Sequence, residues 1–162
     1  MAQHQRIRID PAIEADIPHI LRFIRGLAEY EKLPCPATED QLRQTLFCDR
    51  PYAEALIARI DDEPVGYALF FHSYSTFFAR PGIYLEDLFV LPEHRGCGAG
   101  KALLRGVAKV AQERGCGRLE WSVLDWNQPA IEFYQRVGAT ILSDWRICRM
   151  SPEQFTMLAK GG

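Results

Sequence analysis

The chain has 162 residues, 48% hydrophobic and 25% charged, which suits one ordinary soluble domain with a sizeable core and gives no hint of tandem domains. A net charge of -2, with basic residues scattered along the chain, excludes the electrostatic footprint of a nucleic-acid binder. The opening Met-Ala-Gln-His-Gln-Arg lacks an apolar signal core and no run is long enough to span a membrane, so the expectation is a cytoplasmic protein with no membrane partner.

Residues 6–10 read as a first strand. Asp16 then stands as the cap of a helix in which Ile17, Ile20, Leu21, Ile24, Leu27 and Ala28 recur on one face, ending near Tyr30. Pro34 and Pro36 separate it from a second helix, opened by the capping box Thr38-Glu39-Asp40-Gln41 and carrying Leu42, Leu46 and Phe47 as its apolar stripe. Strands over 53–60 and 65–71 flank the turn Asp61-Asp62-Glu63-Pro64 as a hairpin, and a third strand covers 83–90. Beyond a glycine-rich stretch, 101–114 repeats Leu103, Leu104, Val107, Ala108 and Ala111 at helical spacing, with Gly115 as its C-terminal cap. A strand over 119–124 follows. Asn127 caps a short helix with Pro129 in its first turn, closing at Gly138. Segments 140–142 and 145–150 are terminal strand candidates, and Ser151-Pro152-Glu153-Gln154 opens a last helix.

Five cysteines, Cys35, Cys48, Cys97, Cys116 and Cys148, are an odd number without a Cys-x-x-Cys pair, and they read as reduced thiols. Cys97 alone sits near a helix start where thiolate is favoured; with no histidine beside it in sequence, it reads as a small loop filler. His4, His19, His72 and His94 are unclustered, and no metal is expected.

The stretch Arg95-Gly-Cys-Gly-Ala-Gly100-Lys101 joins the strand ending at Val90 to the helix beginning near Lys101. Glycines that turn with positive φ, followed by the free N–H groups of a helix start, make an anion site suited to a phosphate or pyrophosphate. Spacing decides which one. The dinucleotide fingerprint fails because Lys101 occupies the place of its third glycine, and the Walker A loop fails because Arg95 and Ala102 stand where it needs a glycine and a Ser or Thr. What remains is Arg-x-x-Gly-x-Gly at Arg95, Gly98 and Gly100.

On this motif the chain resembles the GCN5-related N-acetyltransferases, the GNAT superfamily. Tyr84-Leu-Glu86-Asp87-Leu-Phe-Val90, Asp125-Trp-Asn127-Gln-Pro129, Phe133-Tyr134, Arg136 and Gly138-Ala139 are similar to its spermidine/spermine and thialysine acetyltransferase branch, with Tyr30-Glu31 and Trp145-Arg146 also matching. The resemblance implies an α/β (α+β) fold with a mixed, mostly antiparallel twisted sheet, helices on both faces and a splayed strand pair holding acetyl-coenzyme A. It implies cofactor contacts by Leu88, Phe89 and Val90, by Arg95, Gly96, Cys97, Gly98, Ala99, Gly100 and Lys101, and by Asn127, Pro129, Ala130 and Tyr134. It also implies a homodimer built through C-terminal strands, the apolar residues of 145–150 supplying a shared edge. An internal strand within one chain fits that segment equally.

The chemistry needs a base, since fewer than about one lysine-like amine in a thousand is neutral at pH 7. The resemblance assigns that role to Glu86 acting through water, with burial beside Asp87 raising its pKa. Neighbouring strand positions face opposite sides, so at least one of these two acids needs a partner within the protein. By family analogy, backbone N–H groups near Leu88 to Val90 serve as oxyanion donors and Tyr134 protonates the departing thiolate. Tyr30, Glu31, Glu86 and Asp87, with Glu29, form an acidic lining for a cationic acceptor. His72-Ser-Tyr-Ser-Thr-Phe-Phe78 departs from the polyamine enzymes, lacking the acidic, tryptophan-bearing segment found there, so thialysine, a diamine or another amino acid is as plausible an acceptor as spermidine. A protein acetyltransferase and a non-catalytic acetyl-coenzyme A sensor stay open as alternatives.

Overall fold

The computed structural model describes residues 6–161. Its contacts fall into two compact units, one up to Ser122 and one from Val123.

The first unit is built on a five-stranded sheet in the order β1-β2-β3-β4-β5: Ile7–Pro11, Glu54–Ile60, Glu63–Ser75, Arg80–Val90 and Leu119–Glu120. The first four strands pair antiparallel and only β4 with β5 is parallel, giving the mixed, mostly antiparallel sheet expected. Asp61 and Asp62 both have positive φ, 49° and 69°, so the β2–β3 connection is a two-residue turn of the kind that matches strand twist. Glu63 and Pro64 therefore belong to β3, and the proline is tolerated beside a register shift at Ala58/Arg59. The β3–β4 hairpin is longer at its far end than the apolar runs suggested, because the polar residues beyond Phe71 still alternate and pair, from His72↔Ile83 to Ser75↔Arg80.

Helices cover both faces. Helix α1, Ile17–Glu31, lays Ile17, Ile20, Leu21 and Phe23 against Ile57, Tyr67, Leu69 and Phe89 of the sheet, and Phe23 stacks on Tyr67 at 5.6 Å between ring centroids. Each such fully buried side chain contributes roughly 1.5–3 kcal/mol. Helix α2, Glu39–Leu46, begins at the expected capping box, with Thr38 accepting from the Gln41 N–H and Leu42 buried. Helix α3, Ala99–Glu113, takes the opposite face, where its Gly106 lies against Leu56 and Ile9 and its Leu103, Leu104 and Val107 are buried.

Asp16 does not cap α1 through its side chain. One carboxylate oxygen accepts from the Ile13 N–H at 3.0 Å and the other takes Arg59 at 2.6 Å, so a buried acid is spent on an ion pair with β2.

The second unit holds α4, Gln128–Arg136, and α5, Pro152–Ala159. Asn127 and Ser151 cap them as read from the sequence. Two strand expectations fail around this unit. The 119–124 segment is a strand only at Leu119–Glu120, and no strand forms at 140–142 or 145–150. A strand persists only where its N–H and C=O groups find a ladder, and residues 140–150 form none. Trp145, Ile147 and Met150 are accordingly exposed. Among the described residues no helix is long and apolar enough to cross a membrane.

Candidate active site

Strand β4 ends at Val90, and a 3₁₀ turn, Pro92–His94, leads into the glycine loop. Gly96 and Gly98 hold φ of 79° and 97°, which only glycine adopts without strain, and Gly98 is the N-cap of α3. A Cβ at Gly96 would meet nothing within 4 Å, and at Gly98 only the Ile7 Cδ1 at 3.8 Å. Glycine is needed here for backbone shape and close approach from outside, not for interior packing. Ala99 is buried and anchors the helix start, while Cys97 and Lys101 are exposed and Gly100 lies beside Val90. The Cys97 thiol donates to the His94 carbonyl at 2.9 Å, as a loop filler would. The loop leaves the first N–H groups of α3 without intrahelical partners, as at any helix start.

Arg95 serves the loop from within. Its Nε donates to the Val90 carbonyl at 3.0 Å, and its guanidinium carbon lies 5.5 Å from the ring centroids of both Tyr30 and Phe89. One side chain thereby ties the cofactor loop to the end of α1. Beside it, a groove of about 460 Å³ is lined by Arg22, Arg25, Glu29, Phe89 and Pro92; none of Glu31, Glu86 or Asp87 reaches it.

Among the described residues, β4 has a parallel ladder partner only over its first half. The parallel ladder to β5 stops at Tyr84↔Glu120. On the other edge the Leu91 N–H donates to the Val65 carbonyl of β3, so alternation sends the N–H groups of Leu88 and Val90 outward to the unpaired edge and that of Phe89 inward. Of the three expected contacts, Leu88 and Val90 therefore turn their N–H groups to the edge away from β3.

A bulge separates the two acids. Leu69 pairs with Asp87 and Phe70 with Leu85, leaving Glu86 as the extra residue, exposed and off the ladder. Asp87 shares a face with Tyr67 and accepts its hydroxyl at 2.5 Å, which is the partner the sequence demanded. The burial expected at Glu86 falls instead on Asp87 and Glu31. Burial pushes the Asp87 carboxyl up, with the Tyr67 hydrogen bond pulling it partly back, and Glu31 is raised by burial and by the charge of Asp87. The Tyr67 phenol, wholly buried, is held well above its ordinary range by burial first and then by Asp87.

The structure thus brings Tyr30, Phe89, Val90 and Arg95 together, and Glu31, Asp87 and Tyr67 together. On α4, the Asn127 side chain accepts from the Ala130 N–H at 3.4 Å, Pro129 sits in the first turn, and the half-buried Tyr134 packs its ring 5.3 Å from that of Phe133. Tyr67 was missed from sequence, where it reads as one more aromatic in Val65-Gly-Tyr-Ala-Leu-Phe-Phe71; only the cross-strand register sets it diagonally from an acid, Asp87, which pairs with Leu69. Among the described residues no group of three His, Cys, Asp or Glu is arranged to hold a metal ion.

A model of the acetyltransferase (GNAT) family matches residues 24–139, from α1 through α4. The chain belongs to the GNAT family. It is 41% identical to a thialysine N-epsilon-acetyltransferase of Bos taurus, covering 94% of this chain and 97% of that one. An L-ornithine N5-acetyltransferase of Arabidopsis thaliana is 31% identical over 94% of this chain and 88% of its own. A Vibrio cholerae integron cassette protein has the same fold, with a TM-score of 0.81 at 23% identity, covering 96% of this chain and 98% of that one. The resemblance to the spermidine/spermine and thialysine branch holds over 94% of this chain. This GNAT enzyme is an N-acetyltransferase, and family membership implies acetyl-coenzyme A as its cosubstrate.

Proposed function

We propose that the chain works as a single acetyltransferase domain that acetylates a primary amine of a small cationic acceptor: a polyamine, a diamine, thialysine or a similar amino acid. The family match runs across the boundary at Ser122, which supports one domain. Relatives named for thialysine and ornithine support a small amine. The observation that carries the reading is the carboxylate group of Glu31 and Asp87 with Glu86 beside it. Two half-buried acids raise each other's cost of ionisation, and a bound ammonium offsets that cost.

Acetyl-coenzyme A, when bound, supplies the thioester whose acetyl group is transferred. Gly96, Gly98 and the N–H groups of Ala99, Gly100 and Lys101 hold its pyrophosphate. Glu31 and Asp87 hold the acceptor's ammonium end, with Tyr30 beside them. Glu86, free of the ladder, takes the amine proton through water, so that the nitrogen lone pair is available for attack on the acetyl carbon. The N–H groups of Leu88 and Val90 donate to the carbonyl oxygen as negative charge develops there. As the carbon–sulfur bond breaks, Tyr134 gives its phenolic proton to the thiolate, a role that rests on the family pattern at Phe133-Tyr134. The homodimer and the cytoplasmic location are further parts of this reading; the exposed apolar side chains of Trp145, Ile147 and Met150 support the first.

The test is thiol release from acetyl-coenzyme A with spermidine, putrescine, thialysine, ornithine, lysine and a lysine peptide. Selective turnover of one small amine supports the reading. Turnover of the peptide alone makes the enzyme a protein acetyltransferase, and cofactor binding without turnover makes it a sensor.

A further inference from the structure

Tyr67 has a role that no motif assigns. It is on β3, its side chain is wholly buried under Phe23, and its hydroxyl donates to the Asp87 Oδ2 at 2.5 Å. A buried phenol needs an acceptor, and a buried carboxylate needs donors; this bond satisfies both. Among the described residues, four titratable groups act on Asp87 or on the phenol bonded to it. Tyr67 comes from β3, Glu31 from α1, and Glu86 precedes Asp87 on its own strand; Cys35, just past α1, lies close enough to act on the Tyr67 phenol. Every other group among them is acidic, so the Tyr67 hydroxyl is the donor that favours the ionised form of Asp87. A carboxylate accepts through two oxygens, and fixing Oδ2 inward leaves Oδ1 to meet an ammonium.

We propose that Tyr67 is a positioning residue of the acceptor site: it anchors Oδ2 of Asp87 beneath α1 and presents Oδ1 beside Glu31 to the cationic acceptor. The inference rests on the small-amine reading above. It makes acceptor affinity depend on a buried hydroxyl that the acceptor does not touch.

The substitution Tyr67→Phe removes the hydroxyl and keeps the ring that stacks on Phe23. The KM for the amine found by the thiol-release panel rises about tenfold, the worth of one hydrogen bond to a charged group. The kcat and the affinity for acetyl-coenzyme A stay within about twofold, and the acid limb of kcat/KM moves to higher pH because Asp87 protonates sooner. A packing role predicts lower thermal stability with no movement of that limb. Asp87→Asn supplies the second arm, since the amide oxygen still accepts from Tyr67 while the charge is gone. In that background Tyr67→Phe adds less than twofold to KM. Carbon-13 titration of the Asp87 carboxyl gives a readout free of turnover: its midpoint rises in Tyr67→Phe. An unmoved midpoint and acid limb overturn the inference, as does an equal KM penalty in both backgrounds. Absence of turnover on every amine by the unaltered enzyme, with the midpoint shift present, refutes instead the small-amine reading on which it stands.

Discussion

Replacing Gly98 with alanine separates a phosphate cradle from a mere turn. At φ of 97° an L-residue costs about 1–2 kcal/mol, and the new methyl meets only the Ile7 Cδ1 at 3.8 Å, so no clash adds to that cost. For a chain of 162 residues each kcal/mol corresponds to roughly 2–4 °C, so the melting temperature falls by about 2–8 °C. Gly115, beyond the other end of α3 at φ of 65° with nothing within 4 Å of its Cβ, is the matched control. Gly115→Ala, nearer the left-handed minimum, carries no more backbone strain and lowers melting by no more. Acetyl-coenzyme A binding, measured by calorimetry well below either melting point, distinguishes them. On the proposed reading a phosphate oxygen approaches the N–H groups of α3 where the Gly98 methyl would stand, and a displacement worth about 1.4 kcal/mol weakens binding about tenfold. Gly115→Ala leaves affinity unchanged. Equal affinities for the two variants would refute the cradle and leave the loop as a strand-to-helix connection.

Tyr134→Phe lowers kcat with the affinity for acetyl-coenzyme A within about twofold; a normal kcat removes Tyr134 as the proton donor. Glu86→Gln lowers kcat at least tenfold and flattens the acidic limb of the kcat profile, and an unaltered kcat profile assigns the base elsewhere. Asp87 also links stability to pH. Its folded pKa is raised, so the folded state binds the proton more tightly than the unfolded chain, and stability is lost as pH rises from the unfolded value near 3.8 through the folded one. Denaturant titrations across pH 4 to 7 therefore show Asp87→Asn gaining on the unaltered enzyme as pH rises. A constant difference across that range contradicts the burial argument.

Periodicity carried the helices because their signals are local. Thr38 with Gln41 and Ser151 with Gln154 close their boxes within four residues, so nothing distant is needed to read them. Asp16 misled for the converse reason: its cap-like position is local, but Arg59, 43 residues away, claims the carboxylate. The strand readings at 140–142 and 145–150 failed because a strand depends on a neighbouring edge that composition does not reveal. The glycine loop was legible residue by residue, since its φ angles follow from residue type. The division of labour between Glu86 and Asp87 was not, for it depends on a bulge whose position is a property of the β3–β4 register.

Arg95 gives the site one further property. Its guanidinium is shared between the Val90 carbonyl, on the cofactor side, and the Tyr30 ring, on the acceptor side. A loop shift that breaks the first contact also withdraws the cation from the second, so the two binding events draw on a common free energy. Linkage then requires reciprocity: whatever factor acetyl-coenzyme A applies to the acceptor's affinity, the acceptor applies the same factor in return. On the proposed reading, the coupling between the two binding events is carried by a single side chain that reacts with neither substrate.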